Sequence, residues 1–291
     1  MKITNKHGLP ETIVNVLKRP TYSKGGANLS ATEMIDSPRI SQLKRRHAED
    51  LEQDAADMVW SIFGSAIHGV LEHGKADNHV IEERLHTTID GWTISGAIDL
   101  QTMTDDGITV SDYKTTSAWA VMNEKSSWTE QLNIYAWLVE KVKAVPVTDL
   151  EIVAIIRDWS RRDADAKEAY PNAPIVTIKV SLWDFADREQ FIRDRLHEHA
   201  DAYMCAEAKL DLPPCTSEQM WEKPAVWAVK KPKNVRATAV LPSEEAAKEK
   251  IAELGKDYII EYRPGERTRC QHYCPVNKFC EQWERYQNEN A

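Results

Sequence analysis

The sequence predicts an α/β protein whose core is a central mixed β-sheet flanked by helices, followed by a C-terminal module stapled by a metal through cysteines. Three observations carry that expectation. Segments with helix and strand patterning follow one another in the order helix, three strands, helix, strand, which sets antiparallel and parallel neighbours in one sheet. Two of the strands end on acids, Asp99 and the tripeptide Asp112-Tyr113-Lys114. Three of the five cysteines, Cys270, Cys274 and Cys280, crowd together near the end of the chain.

Residues 1–30 are polar, carry Gly25-Gly26 and suit an extended arm. Ser30-Ala31-Thr32-Glu33 has the spacing of a capping box that opens a short helix, and a basic stretch, Arg39, Lys44, Arg45 and Arg46, follows it. Over residues 50–74, Met58, Ile62, Ala66, Ile67, Val70 and Leu71 recur near a 3.6 period, a long helix with His68 and Glu72 on one face. Strands are expected at 80–85, 92–101 and 108–114. In the second, Thr93, Ser95, Ala97 and Asp99 share one parity, and Trp92, Ile94, Ile98 and Leu100 the other. Asp105-Asp106-Gly107 suits the hairpin turn between the second and third. A helix at 129–143 carries Leu132, Tyr135, Leu138, Val139 and Val142, and a buried strand is expected at 150–156. A charged loop, a strand at 175–180 and a charged amphipathic helix at 183–209 complete the core. The chain changes character at Leu212-Pro213-Pro214-Cys215. The expected organisation is an arm with a basic helix (1–50), a core (51–210) and a cysteine module packed on the core (211–291).

Composition narrows the function. With 291 residues the chain can bury a sizeable core, and no apolar run approaches a membrane span. Its formal charge of −9 argues against coating nucleic acid by bulk electrostatics, yet leaves room for a local basic groove around an acidic site. The opening Met1-Lys2-Ile3-Thr4-Asn5-Lys6 lacks an apolar signal core, so a cytoplasmic, reducing setting is expected.

Two acids and a lysine brought together at neighbouring strand ends suit a metal-dependent phosphodiesterase. Asp99 and Asp112 offer hard oxygens to a divalent cation. Lys114, two residues on and so on the same strand face as Asp112, can orient a water and steady charge on a phosphate. Taken singly, each residue has a plainer explanation. His68 alone reads as a core histidine, Gln131 and Tyr135 as ordinary helix residues, and Asp112 with Lys114 as a strand-edge ion pair worth little. Their joint order and spacing favour a site. Glu72 stays open between a supporting partner and a solvent-facing acid.

Gly64-Ser-Ala-Ile-His68, Asp99, Asp112-Tyr113-Lys114 and Gln131-Leu-Asn-Ile-Tyr135 together resemble the RecB-like branch of the PD-(D/E)xK nuclease superfamily, over roughly residues 58–156. The resemblance implies a restriction-endonuclease-like fold. It implies that His68, Asp99 and Asp112, helped by the Tyr113 main-chain carbonyl, ligate Mg²⁺ or Mn²⁺. Lys114 would be the catalytic lysine, and Gln131 and Tyr135 would position it or the DNA backbone. Products would carry 5′-phosphate and 3′-hydroxyl ends. Asp112 departs mildly from the family, where Glu is commoner.

Cys270, Cys274 and Cys280 with the distant Cys215 offer four thiolates to a metal, since disulfides are not expected in a reducing setting. Both a 4Fe–4S cluster and Zn²⁺ accept such a set. Several RecB-like nucleases carry a cluster held by one distant and three C-terminal cysteines, which favours iron–sulfur. In those relatives the distant cysteine usually precedes the core in a Cys-Pro pair, where this chain reads Ser37-Pro38. Certain phage relatives carry the Leu-Pro-Pro-Cys arrangement, which supports Cys215. His272 is the second choice of ligand, and Cys205 reads as a plain buried thiol.

Candidate phosphate contacts are Arg45, Arg46, Arg157, Arg161, Arg162 and Lys230, with Arg39, Lys44, Lys231 and Lys233 beside them; Trp119, Trp128 and Trp159 are candidate base-stacking platforms, each weighed against the commoner reading of a tryptophan as core. No base-reading module and no GxxxxGK[ST] motif occurs, so little sequence preference and no unwinding of its own are expected. The expected function is a metal-dependent deoxyribonuclease, an exonuclease on DNA ends or single strands. The resemblance alone implies the setting, phage or prophage recombination, replication or degradation in a bacterial cytoplasm, with recombination or single-strand-binding proteins as partners. The alternatives are a RecB-like endonuclease of restriction or CRISPR-adaptation type and a non-catalytic, cluster-stabilised DNA-binding scaffold.

Overall fold

The computed structural model describes residues 1–19, 23–123, 125–255 and 257–289 and resolves into two compact units, Met1–Pro213 and Pro214–Ala291. In the first unit the strands are β1 (Lys2–Thr4), β2 (Leu29–Ser30), β3 (Glu52–Asp54), β4 (His79–Ile89), β5 (Trp92–Thr104), β6 (Gly107–Thr116), β7 (Val147–Ile156) and β8 (Ile175–Val180). Its helices are α1 (Glu11–Leu17), α2 (Ala31–Ile35), α3 (Pro38–Arg46), α4 (Val59–Leu71), α5 (Ala118–Met122), α6 (Ser126–Lys143), α7 (Arg161–Ala166) and α8 (Phe185–Glu207).

The sheet runs β2-β5-β6-β7-β8, with β4 also paired to β5. It is mixed, as expected: β4, β5 and β6 form an antiparallel meander, β7 runs parallel to β6, and β8 antiparallel to β7. Asp90 and Gly91 both have positive φ (49° and 78°), a two-residue turn of the kind that matches strand twist, and they pin the register of β4 on β5 at Ile89↔Trp92. The predicted turn at Asp105-Asp106 closes β5 on β6 at Thr104↔Gly107.

Helix α6 lies across the sheet and is buried along most of its length, with Leu132, Ile134, Ala136, Trp137 and Leu138 inaccessible. Its close approach depends on Gly96 of β5. A methyl group there would stand 2.7 Å from Leu138 and 2.8 Å from the Tyr135 ring. Helix α8 covers α6, tied by the Arg188–Glu140 ion pair at 2.9 Å and the Trp137 indole donating to Glu189 at 3.2 Å. Ser30 forms the predicted capping box with Glu33.

Two boundaries differ from expectation. The N-terminal arm is built rather than extended: β1 pairs in parallel with β3, and α1 packs Val14 and Leu17 against Ala55. The long helix therefore starts later. Residues 52–54 are taken by β3, and Asp54 Oδ1 caps a 3₁₀ turn (Ala55–Met58) that leads into α4. Apolar periodicity continues across that junction and hides it.

In the second unit, β10 (Val226–Lys230) lies between β11 (Ala239–Leu241) and β12 (Ile259–Arg263), after the short β9 (Glu222–Lys223). Helix α9 (Glu244–Leu254) packs on this sheet. β13 (Glu266–Arg267) pairs with β9; α10 (Thr268–His272) carries Cys270, and Cys274 and Cys280 lie between it and α11 (Glu281–Glu289).

Candidate active site

Strand register builds the site. Pairing of β5 with β6 stops at Leu100↔Ser111, one residue short of Asp99 and Asp112, so the two acids face each other where the strands part. The Tyr113 N–H, released from that ladder, donates instead to Asp99 Oδ2 at 2.8 Å. On the other side, counting seven residues back from Ile89↔Trp92 sets Glu82 opposite Asp99. The ladder pairs Ile81↔Leu100 and Glu83↔Ile98 but skips Glu82, which takes φ +52°. Glu82, Asp99 and Asp112 thus form one row across three strands. A non-glycine residue held at positive φ is costly, and such outliers collect at functional sites.

His68 closes the row from α4. Its Nδ1 lies 3.1 Å from Glu82 Oε1 and 3.6 Å from Asp99 Oδ1. Among the described residues, His68, Glu82 and Asp99 are the only three His, Cys, Asp or Glu residues whose ligand atoms lie within 4.8 Å of one another. Lys114 closes the other end. Its Nζ is 2.7 Å from Asp112 Oδ2 and donates to Gln131 Oε1 at 3.1 Å. Gln131 in turn donates from Nε2 to Asp112 Oδ1 at 3.2 Å and to the Tyr135 hydroxyl at 2.7 Å. One amide therefore fixes both the lysine and the carboxylate beside it.

The electrostatics fit a cation. Burial, and then the Asp112 carboxylate, push Asp99 up to about 7. Burial disfavours a charged His68, yet Asp99 and Glu82 outweigh it and hold the imidazole above its ordinary range. Asp112 Oδ2 is buried and accepts no hydrogen bond, although the ammonium lies beside it. Two buried acids side by side, flanked by the half-buried Glu82 and an imidazole, are a donor set for a hard divalent ion. The residues present fit the implied metal.

Glu82 is the residue the sequence reading missed. The signal was available, because an Asp-Gly turn between two strand-like runs fixes register. Glu72, left open, is exposed at the C-terminal end of α4.

The basic candidates scatter. Arg39 is buried and donates to the Leu212 carbonyl at 2.7 Å, a structural role. Arg45 is paired with Glu207 at 2.7 Å and lies over the Tyr203 ring, while Arg46 is exposed. Arg161 and Arg162 are exposed on α7, and Arg157 lies over the Trp60 ring. Lys230 is paired with Glu261. Of the tryptophans, Trp128 is a core residue and no platform, because α6 lays it into the main hydrophobic cluster. Trp159 is half-buried with its indole donating to the Pro171 carbonyl at 2.8 Å, and Trp119 is exposed.

In the second unit, Cys270 is pushed up to about 11, first by burial and then by Cys274, Cys215 and Cys280, so the four thiols gather in one place. Gln282 clamps Cys215, accepting from its N–H at 2.8 Å and donating to its carbonyl at 3.0 Å. Asn277 likewise donates to the Cys270 carbonyl at 2.9 Å. His272 is exposed and Cys205 half-buried.

An acid pair and a lysine thus meet where the strands of a mixed sheet part. The model of the PD-(D/E)XK nuclease superfamily matches residues 75–281; the chain belongs to that superfamily. Solved structures similar to it include that of SSO0001, at 17% identity and a TM-score of 0.42 over 69% of this chain and 92% of that one. An alkaline exonuclease from Laribacter hongkongensis is similar at 11% identity and a TM-score of 0.36, over 62% of this chain and 91% of that one. No curated protein matches the chain. No helix among the described residues is long and apolar enough to cross a membrane.

Proposed function

We propose that the protein is a divalent-metal-dependent DNA nuclease that acts as an exonuclease on ends or single strands. The observation that carries this is the row Glu82–Asp99–Asp112, closed by His68 on one side and by the Lys114–Gln131–Tyr135 chain on the other. Asp99, Asp112 and His68 would hold Mg²⁺ or Mn²⁺ with the Tyr113 carbonyl beside them; Glu82, which shares His68 Nδ1 with Asp99 and gathers with both while Asp112 stands outside that group, would add a carboxylate on the same side. When bound, the ion polarises a phosphate and lowers the pKa of a water. Lys114, held by Gln131, orients that water for in-line attack and steadies the charge growing on the phosphate. Tyr135 fixes the Gln131 amide from behind, so both are positioning residues.

For the second unit the proposal is a structural metal held by Cys215, Cys270, Cys274 and Cys280. A tetrahedral Zn²⁺ with bonds of about 2.3 Å would draw its sulfurs to about 3.8 Å apart. No three of these thiols come within 4.8 Å of one another. That wider spacing favours a 4Fe–4S cluster, which also takes four thiolates. A visible absorption band in anaerobically purified protein, lost in Cys270→Ala, tests it; colourless protein loaded with zinc overturns it.

The activity test is an Mn²⁺-dependent assay on linear and circular single-stranded DNA. The expected result is digestion of the linear strand with the circle left intact, and no digestion by Lys114→Ala. Cleavage of the circle would make the enzyme an endonuclease. Metal-independent DNA binding without cleavage of either would make it a scaffold.

A further inference from the structure

Helix α4 presents a feature that the acid row does not use. It is apolar along most of its length, Val59-Trp-Ser-Ile-Phe-Gly-Ser-Ala-Ile-His68-Gly-Val-Leu71, yet contains no buried residue. A helix of that composition is ordinarily covered. Trp60 is 52% exposed and Phe63 50% exposed, their ring centroids 5.8 Å apart with the planes tilted by 53°. The Arg157 guanidinium sits 4.2 Å over the Trp60 ring.

Both members of that pair are tied to the active site. Trp60 lies two turns before His68 on the same helix, about 12 Å along the axis and about 80° round it; Phe63 continues the aromatic surface. Arg157 directly follows β7, and its N–H donates to the Thr116 carbonyl at 2.9 Å, two residues beyond Lys114 on β6. The aromatic surface therefore begins about one nucleotide or two from the acid row, with the exposed Arg161 and Arg162 further along the same connection.

We infer that Trp60, Phe63 and Arg157 form a nucleobase-stacking step for single-stranded DNA passing the acid row. The inference rests on the nuclease reading and deepens it. A nucleic acid strand is the occupant that fits best, because its bases match flat exposed rings and its phosphates match the arginines alongside. A stacked, paired base has no free face to offer. The step thus selects single strands or frayed ends over intact duplex.

The test compares binding of an oligothymidylate, an abasic oligonucleotide of equal length and a circular duplex without ends, in the Lys114→Ala background so that the probes survive. Trp60→Ala/Phe63→Ala is expected to lose about 5- to 100-fold in affinity for oligothymidylate, the range of one stacked base. The abasic and duplex probes should be unaffected, and Trp60→Tyr should restore most of the loss. Circular dichroism and the melting temperature check that α4 keeps its fold; if the double variant misfolds, Trp60→Tyr and Arg157→Gln are compared instead. Equal loss on the abasic probe, no loss on any probe, or a parent dimer that the double variant dissociates would each overturn the stacking step. Active parent protein that cleaves single strands regardless of Trp60 sinks only this inference. A parent that neither binds nor cleaves DNA sinks the nuclease reading with it.

Discussion

At the scale of single residues, two side chains carry separable consequences. Lys114→Ala is expected to lower Mn²⁺-dependent cleavage by about 10²- to 10⁴-fold, the usual worth of a positioned acid–base group. It also strands Asp112, whose Oδ2 has the ammonium 2.7 Å away. The variant should therefore be less stable than the parent without metal and regain the difference when Mn²⁺ is added, which a melting curve reads. Parent-like cleavage by this variant would remove Lys114 from the chemistry. Glu82 bears a different signature because its backbone sits at φ +52°. Glu82→Asn exchanges it for a residue that tolerates that conformation. Stability should hold or rise by about 1 kcal/mol, while Mn²⁺ affinity falls about 10- to 100-fold through the loosened imidazole. Calorimetric titration with Mn²⁺ decides; unchanged affinity would make Glu82 a bystander.

At the scale of elements, the site depends on how closely α6 rests on β5. Gly96→Ala forces Leu138 or Tyr135 to move, since both lie under 3 Å from the added methyl. A loss of about 1–3 kcal/mol is expected from such overpacking, measured as a shifted denaturant midpoint. Cleavage should suffer as well, because Tyr135 holds Gln131 and Gln131 holds Lys114. Much of this was open to inspection in the sequence. Two-residue parity carried Asp112 and Lys114 to one face, and their shared partner on α6 reflects it. The fit between Gln131 and Tyr135 needed only four-residue spacing on a helix. Glu82 escaped because an acid inside a strand says nothing until register is fixed, and register came from Asp90-Gly91, a turn not used in aligning the runs. The start of α4 escaped because Leu51 to Met58 continue an apolar rhythm through a strand and a 3₁₀ turn. Trp128 took the commoner fate of a tryptophan, the core, which periodicity alone does not separate from display.

At the scale of the whole molecule, folding is linked to pH through His199, a buried residue on α8. Burial, and then the neighbouring Arg195, hold it down to about 4 from the ordinary 6.5, against the pull of the Met34 carbonyl 3.2 Å from Nε2. Between those two values the unfolded chain takes up a proton that the folded chain refuses. Its contribution is therefore complete above 6.5 and is lost as pH falls towards 4, by about 3 kcal/mol in all. Urea unfolding at about pH 7.5 and about pH 5 should show a smaller drop in His199→Gln than in the parent; an identical drop would assign the pH sensitivity elsewhere. The central claim remains that one ion draws together groups from α4, β4, β5 and β6. Anomalous diffraction from Mn²⁺-soaked crystals of Lys114→Ala tests this most directly. The account expects a single strong peak bounded by His68, Asp99 and Asp112, with Glu82 beside Asp99 at the imidazole's Nδ1. A map with no peak there, in crystals showing bound Mn²⁺ elsewhere, would contradict it.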